Sequence, residues 1–300
     1  MKRSSRAGEG LVKSVIAKGF VGAALLGLSW TAPAWADEAA NHYNLGLQLK
    51  RQGNTPAAIA EVEKAIAIRN DYGAAHFTLG NLYRQQGDYE RAAKNFEKAV
   101  KLQPQDVASR ANLGTVYLRQ KRLDEGIQQL EAALSLKPDD YETLVSLGVG
   151  YRQKNDFPKA IATLQKATTV RPKDAAAWNN LGVAKARTED KEGAIVAFKR
   201  ALEIEPDNAE YHFSLATVYR RQRRTDEAIA SYEAAVDRDP KLASAHYDLG
   251  ILHSQEKRAD KALIAFRNYL KYAGTADPAS RKEAEDRIKS LEAVTTPKKK

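Results

Sequence analysis

Cysteine is absent from all 300 residues. That excludes a disulfide framework, a thiolate metal site and a sulfur-linked lipid anchor, and it suits an exported protein that avoids thiol chemistry in an oxidising compartment. Long apolar runs are missing as well. The best candidate, from Phe20 to about Trp30, falls well short of the roughly 20 residues a membrane span needs, and Pro33 follows it. No serine sits on a nucleophile elbow, and there is no glycine-rich phosphate loop. Histidines are few, and the nearest two, His246 and His253, lie two helical turns apart rather than at the i, i+4 spacing of a metal pair. No catalytic, metal or cofactor residue is therefore expected.

What the chain does have is a period. Gly46, Gly80, Gly114, Gly148, Gly182 and Gly250 are separated by 34 residues or a multiple of it, and Ala216 holds the remaining position. At a background of roughly 7% glycine, six such positions out of seven arise by chance on the order of once in a million frames. A leucine precedes each member: Leu45, Leu79, Leu113, Leu147, Leu181, Leu215 and Leu249. Three residues before the leucine stands a bulkier group: His42, His76, Arg110, Leu144, Trp178, His212 or His246. A histidine that exchanges with Trp and Leu reads as a packing residue. Tyr83, Tyr117, Tyr151 and Tyr219 follow their glycine or alanine by three; Lys185 breaks that series. These spacings put the side chains on one helical stripe.

A second helix follows in every copy, marked by small residues such as Ala92, Ala160 and Ala194, then Phe96, Leu164 and Phe198 four positions on. Small residues let two helices approach and large ones fill the gaps. Asn54, Asp88, Asp156 and Asp190 stand where N-caps of that helix belong. Pro56 and Pro158 fall in its first turn, and Pro104, Pro138, Pro172, Pro206 and Pro240 stop it. Asp139, Asp140, Asp174, Asp207 and Asn208 are candidate caps for the next first helix.

The pattern resembles that of the tetratricopeptide repeat family, W-x₂-L-G-x₂-Y, then A-x₃-F, then P. Trp178, Leu181, Gly182, Ala194, Phe198 and Pro206 match it, with Lys185 in place of the Tyr. The resemblance covers seven copies without insertion, 39–72, 73–106, 107–140, 141–174, 175–208, 209–242 and 243–276. It implies an all-α solenoid, a right-handed superhelix of antiparallel helix pairs. A helix over 277–294, apolar at Ala284, Ile288 and Leu291 and polar elsewhere, reads as the C-terminal cap that a solenoid needs to end in water. Residues 295–300 read as a basic, disordered tail. Lys185, with Glu189 where Gly53 and Gly87 make the turn, makes the fifth copy the one expected to open first.

The N-terminus reads separately. Lys2, Arg3, Arg6, Lys13 and Lys18 precede the apolar run, and Ala34-Trp35-Ala36 offers a cleavage site. A secretory signal peptide over 1–36 is expected, with the protein periplasmic or secreted and no stable membrane anchor after cleavage. The alternative is a retained anchor. Loss of the leader removes five basic residues and one acidic, which lowers the formal net charge from +10 to +6. Lys298-Lys299-Lys300 supply half of that.

In the family that the chain resembles, first helices line a concave groove. Residues four and five after each glycine then face inward, and they include Lys50, Arg51, Arg84, Arg119, Arg152, Arg187, Arg220 and Arg221, with no acidic residue among them. Three residues before the glycine come Tyr43, Phe77, Phe213 and Tyr247, so aromatics flank the ends. Arginine pairs bidentately with carboxylates or phosphates, and a curved wall of one sign concentrates acidic partners. The same charges also complement the negative end of a helix dipole, so the pattern alone fits both a binding face and a solvated one. Asn81 and Asn112 match two positions of the family's carboxylate clamp, but Phe77, Glu142 and Ser146 stand where Lys, Lys and Arg are needed, so the clamp is broken. Asn44, Asn112 and Asn180 recur in alternate copies and could bond an extended peptide.

The resemblance thus implies a non-catalytic scaffold that binds protein or peptide segments, acidic ones above all, in a setting of envelope assembly, secretion or polysaccharide export. The alternative is a binder of an anionic envelope polymer, glycan or lipid head groups, through the same groove. Nucleic acid is not an expected partner of an exported protein.

Overall fold

A computed structural model describes residues 34–274 and 278–295, and every element in it is a helix. The expected leader, apart from its last three residues, and nearly all of the basic tail lie outside the described residues. Seven first helices, α1 (Ala34–Arg51), α3 (Gly73–Gln85), α5 (Val107–Arg119), α7 (Tyr141–Gln153), α9 (Ala175–Lys185), α11 (Ala209–Arg221) and α13 (Ala243–Gln255), alternate with seven second helices. The latter are α2 (Thr55–Ile68), α4 (Tyr89–Leu102), α6 (Leu123–Leu136), α8 (Phe157–Val170), α10 (Lys191–Ile204), α12 (Thr225–Arg238) and α14 (Ala259–Tyr272). Each first helix packs against its own second helix and, from α3 on, against the second helix before it. The chain is an all-α solenoid, and among the described residues its core runs from Ala39 to Ala284. Among the described residues no helix is long and apolar enough to cross a membrane.

The glycine period has a steric cause. A Cβ on Gly80 would lie 2.8 Å from the Phe96 ring, and one on Gly148 would lie 2.5 Å from Leu164. The first helix can touch its partner only where it has no side chain. Leucines next to the glycines point the other way, into the preceding repeat, so Leu79 and Leu249 are each 4% exposed. Leu45, on the first described helix, is 42% exposed, with no earlier repeat among the described residues to cover it.

The position shared by His, Trp and Arg is more than a packing place. Trp178 Nε1–H donates to the Pro172 carbonyl (3.0 Å), Arg110 Nε–H to that of Pro104 (2.8 Å), and His212 and His246 Nε2–H to those of Pro206 and Pro240 (2.9 Å each). Each pins the inter-repeat loop six residues back. The three side-chain types exchange because each carries an N–H donor at similar reach; Leu144 fills the space without it.

Tyrosines bridge neighbouring repeats. Tyr83 OH donates to Glu63 (2.5 Å), Tyr117 to Glu97 (2.8 Å) and Tyr151 to Glu131. Burial first, and then the glutamate, pushes the Tyr117 hydroxyl up to about 12. The series stops at the fifth copy, where Lys185 replaces Tyr, and Lys199 stands twenty residues before Tyr219 in place of Glu.

The turn inside the fifth copy differs too. In the other six copies the N–H at the start of the second helix reaches the carbonyl five residues back, as from Asp88 to Tyr83 (3.0 Å) or Arg224 to Tyr219 (3.0 Å). That closure needs a left-handed residue, supplied by Gly53, Gly87, Lys121, Asn155, Arg223 and Lys257 (φ between 57 and 78°). Glu189 does not adopt it. Instead α9 stops after 11 residues where α7 has 13, Asp190 N–H donates to Thr188 Oγ1 (3.2 Å), and Lys185 Nζ reaches Asp190 Oδ2 (2.8 Å).

Capping follows the expected positions with two exceptions. Asp88, Asp156, Asp190, Asp140, Asp174 and Asn208 accept backbone N–H bonds, as does Asp106. Asp139 and Asp207 are not caps; Asp207 lies 3.5 Å from Arg238 instead. After the seventh pair, α15 (Pro278–Thr295) packs on α14 as each first helix packs on the second helix before it, with Ala284 buried against Phe266 and Tyr269.

Candidate functional site

Because first helices sit side by side, residues one full period apart line up on the concave face. Tyr43, Phe77, Phe213 and Tyr247 fall on this row, each half-buried and leaning on an aromatic neighbour. Phe77 meets Phe96 edge-on with centroids 5.9 Å apart, Phe213 lies 5.5 Å from Tyr232, and Tyr43 lies 4.9 Å from Tyr72. Two of the four carry occupied hydroxyls. Tyr43 OH shares a hydrogen with Thr78 Oγ1 (3.1 Å), and Tyr247 OH donates to Glu283 on α15 (2.7 Å). Burial and Glu283 push Tyr247 up to about 12. Tyr247 thus belongs to the contact between the seventh repeat and α15, and only Phe77 and Phe213 offer ring edges free of polar engagement.

The basic row divides in two. Arg220 Nη2 lies 3.8 Å from Asp248 Oδ1 on the next first helix. Asp248 is itself tucked in, and burial raises its carboxyl above the usual range despite the Tyr232 hydroxyl and Arg220 beside it. For Lys50, Arg51, Arg84, Arg119, Arg152, Arg187 and Arg221 no carboxylate lies within ion-pair distance among the described residues. Many cations of the outer surface are paired: Arg91 with Asp88, Lys94 with Glu90, Arg122 with Glu125, Arg171 with Glu142 and Arg267 with Glu292. Arg84 Nη2 donates only a long bond to Asn81 Oδ1 (3.4 Å), and its buried Nε has no partner. Arg152 is half-buried with an equally unpartnered Nε, and burial first, then the charge of Arg187, holds its guanidinium below the usual range. The charge of Arg187 thus reaches Arg152 across the step between the fourth and fifth repeats, and neither cation has a carboxylate within ion-pair distance among the described residues.

The asparagines sit among them. Asn81, Asn112 and Asn180 each donate their amide N–H to the carbonyl four residues back, Phe77, Ala108 and Ala176, at 2.9 to 3.1 Å. That leaves their side-chain oxygens as acceptors, that of Asn81 already taking the long bond from Arg84, and Asn179 Oδ1 is buried without a partner. Sequence spacing located these positions. It did not reveal which arginine is already neutralised, because Asp248 lies outside the row of residues that follow the glycines. No three His, Asp or Glu side chains among the described residues converge as a metal cluster. A cleft of about 670 Å³ between Ser254 and α15 is lined by Lys282, Glu283, Asp286 and Arg287, where Arg287 pairs with Glu283 (2.8 Å) and Lys289 reaches Asp286 (3.7 Å).

Two family models described as tetratricopeptide repeat match the chain, one over residues 77–141, 146–209 and 213–280 and the other over 37–105. No curated protein matches it. Among solved structures, MamA residues 41 to the end from Desulfovibrio magneticus RS-1 is 25% identical, with a TM-score of 0.54 over 57% of this chain and 96% of that one. A tetratricopeptide repeat protein from Parabacteroides merdae superposes over 86% of this chain and 99% of its own, at 14% identity and a TM-score of 0.65. YrrB, described as a TPR protein with an unusual peptide-binding site, covers 65% of this chain and 97% of its own at 21% identity and a TM-score of 0.53.

Proposed function

The chain belongs to the tetratricopeptide repeat family, and from that premise we propose that it is a non-catalytic, exported scaffold whose concave face binds acidic segments of partner proteins in the cell envelope. The observation that carries this reading is the set of inner-face cations without carboxylates, Arg84, Arg119, Arg152 and Arg187 above all. Complementing a helix dipole accounts for a cation on a solvated turn. It does not account for Arg84 and Arg152, drawn below the surface with Nε unpartnered, since burying such a group has a cost that a ligand offsets. YrrB, whose fold this chain shares, carries a peptide-binding site by its own description. The basic leader, the apolar run that follows it and the Ala34-Trp35-Ala36 site support export.

The test is capture from envelope extract with photo-crosslinkers at Phe77 and Phe213, and at Tyr43 and Tyr247 as flanking positions. Reversing Arg84, Arg119 and Arg152 to Glu together is expected to abolish capture; unchanged capture rejects the reading. Steep salt dependence with no preference for peptide sequence would instead favour an anionic polymer. N-terminal sequencing of the exported protein tests the leader, with Asp37 expected as the first residue.

A further inference from the structure

The solenoid contains its own picture of what an inner-face arginine accepts. Arg220 occupies the fourth position after Ala216, and the residue 28 further on, Asp248, brings a carboxylate to 3.8 Å from it. Arg152 and Arg84 hold the same repeat position after Gly148 and Gly80. The residues 28 beyond them are Asn180 and Asn112, nearly the shape of Asp but without its charge. At the sixth repeat the carboxylate is built in; at the fourth and second it is missing, and there the Nε groups are buried without partners. Resting on the concave-face reading above, we propose that Arg152 and Arg187 form a seat for a side-chain carboxylate of an extended peptide, and that Arg84 forms a second seat two repeats away.

Three features favour a peptide over a polyanion. Asn180 holds the repeat position that Asp248 holds beside Arg220, with its amide N–H given to Ala176 so that Oδ1 remains an acceptor, and its neighbour Asn179 keeps an Oδ1 without a partner. Such oxygens accept a backbone N–H, which polyphosphate does not offer. The seats are also sparse, one per two repeats, whereas a polyanion places charge along its whole length. Finally, the rings of Phe77 and Phe213 give apolar contact beyond each seat. Neighbouring helix axes lie roughly 10 Å apart, so the seats are about 20 Å apart, or about six residues of extended chain. The ligand class is a peptide with two acidic side chains at about that spacing.

The experiment is fluorescence anisotropy of the purified protein with a labelled Ser/Tyr peptide carrying two Glu about six residues apart. Its Gln counterpart, a peptide with the Glu about three apart, and a polyphosphate competitor complete the set. We expect the six-spaced Glu peptide to bind about tenfold or more tightly than the other two. Arg152→Gln should remove that preference. Asn180→Asp should remove it as well while leaving the arginine in place, because it supplies the carboxylate that Asp248 supplies to Arg220; circular dichroism melts check that this variant is folded. Lys166→Gln, on the exposed side of α8, should bind as wild type. Equal binding of the Glu and Gln peptides overturns the seats, as does an Asn180→Asp variant that binds like wild type. Either result, with envelope proteins still crosslinked through Phe77 and Phe213, leaves the concave-face reading standing; loss of those crosslinks rejects both. Tight polyphosphate binding indifferent to Asn180→Asp also overturns the seats.

Discussion

At the scale of single residues, the fold depends on what is left out of a helix. Gly80→Ala would drive a methyl into the Phe96 ring, which has no room to withdraw. Overpacking of this kind costs about 1–3 kcal/mol, so we expect a denaturant midpoint lowered accordingly, with unchanged slope. His253 offers a test in pH. It stands at a tyrosine position, buried, with Nδ1 unpartnered, and burial holds its ring below the ordinary 6.5 despite Glu233 nearby. A folded value below the unfolded one means that the fold favours the neutral ring. The stability it contributes is complete above the unfolded value and is lost as pH falls from there through the folded value. The melting temperature should fall as pH drops from about 7 to 5, and His253→Phe should lessen that fall; an equal fall in the variant would show the ring is not responsible.

At the scale of elements, the turns between paired helices carry the irregularities. Lys121, Arg223 and Lys257 hold left-handed backbone that Gly53 and Gly87 adopt without strain. Replacing any of the three by Gly should stabilise by about 0.5–1 kcal/mol, since a Cβ in that region costs roughly 1–2 kcal/mol and glycine's greater freedom in the unfolded chain offsets part of it. Thermal melts would read this directly. The fifth copy avoids the strain by ending α9 early, at the expense of the closing backbone bond. In a solenoid each repeat holds only to its neighbours, so amides of α9 and its turn should exchange first; uniform protection across the seven repeats would contradict this. The irregularity was legible from Lys185 and Glu189 because both break a series. The cap at Asp106 was equally legible, lying 34 residues before Asp140, whereas Asp139 and Asp207 were wrong because a cap one residue too early cannot reach the free N–H groups. The candidate site was legible as a row of positions but not as a set of charge states. Whether Arg220 is neutralised depends on a side chain from the next helix, and no local pattern encodes that distance.

At the scale of the whole molecule, stability is a sum of repeats and the contacts between them, and each end has to be covered. Truncation after Gly274 would bare the faces of Phe266, Tyr269 and Tyr247 that α15 now covers. Exposed apolar patches of that kind drive association, so the truncated protein should elute as soluble oligomers by size exclusion with light scattering, while the full chain does not through this face. The tyrosine–glutamate bridges tie repeats one to four together and then stop, at the step across which the charge of Arg187 bears on Arg152. Seen as a ladder, the molecule lacks a rung there. A chain pulled from both ends should yield at this step or the next, where Lys199 leaves Tyr219 without its glutamate, and a peptide carboxylate clasped across the first of them would act as the absent rung, so that occupancy of the groove is felt as stiffness along its length.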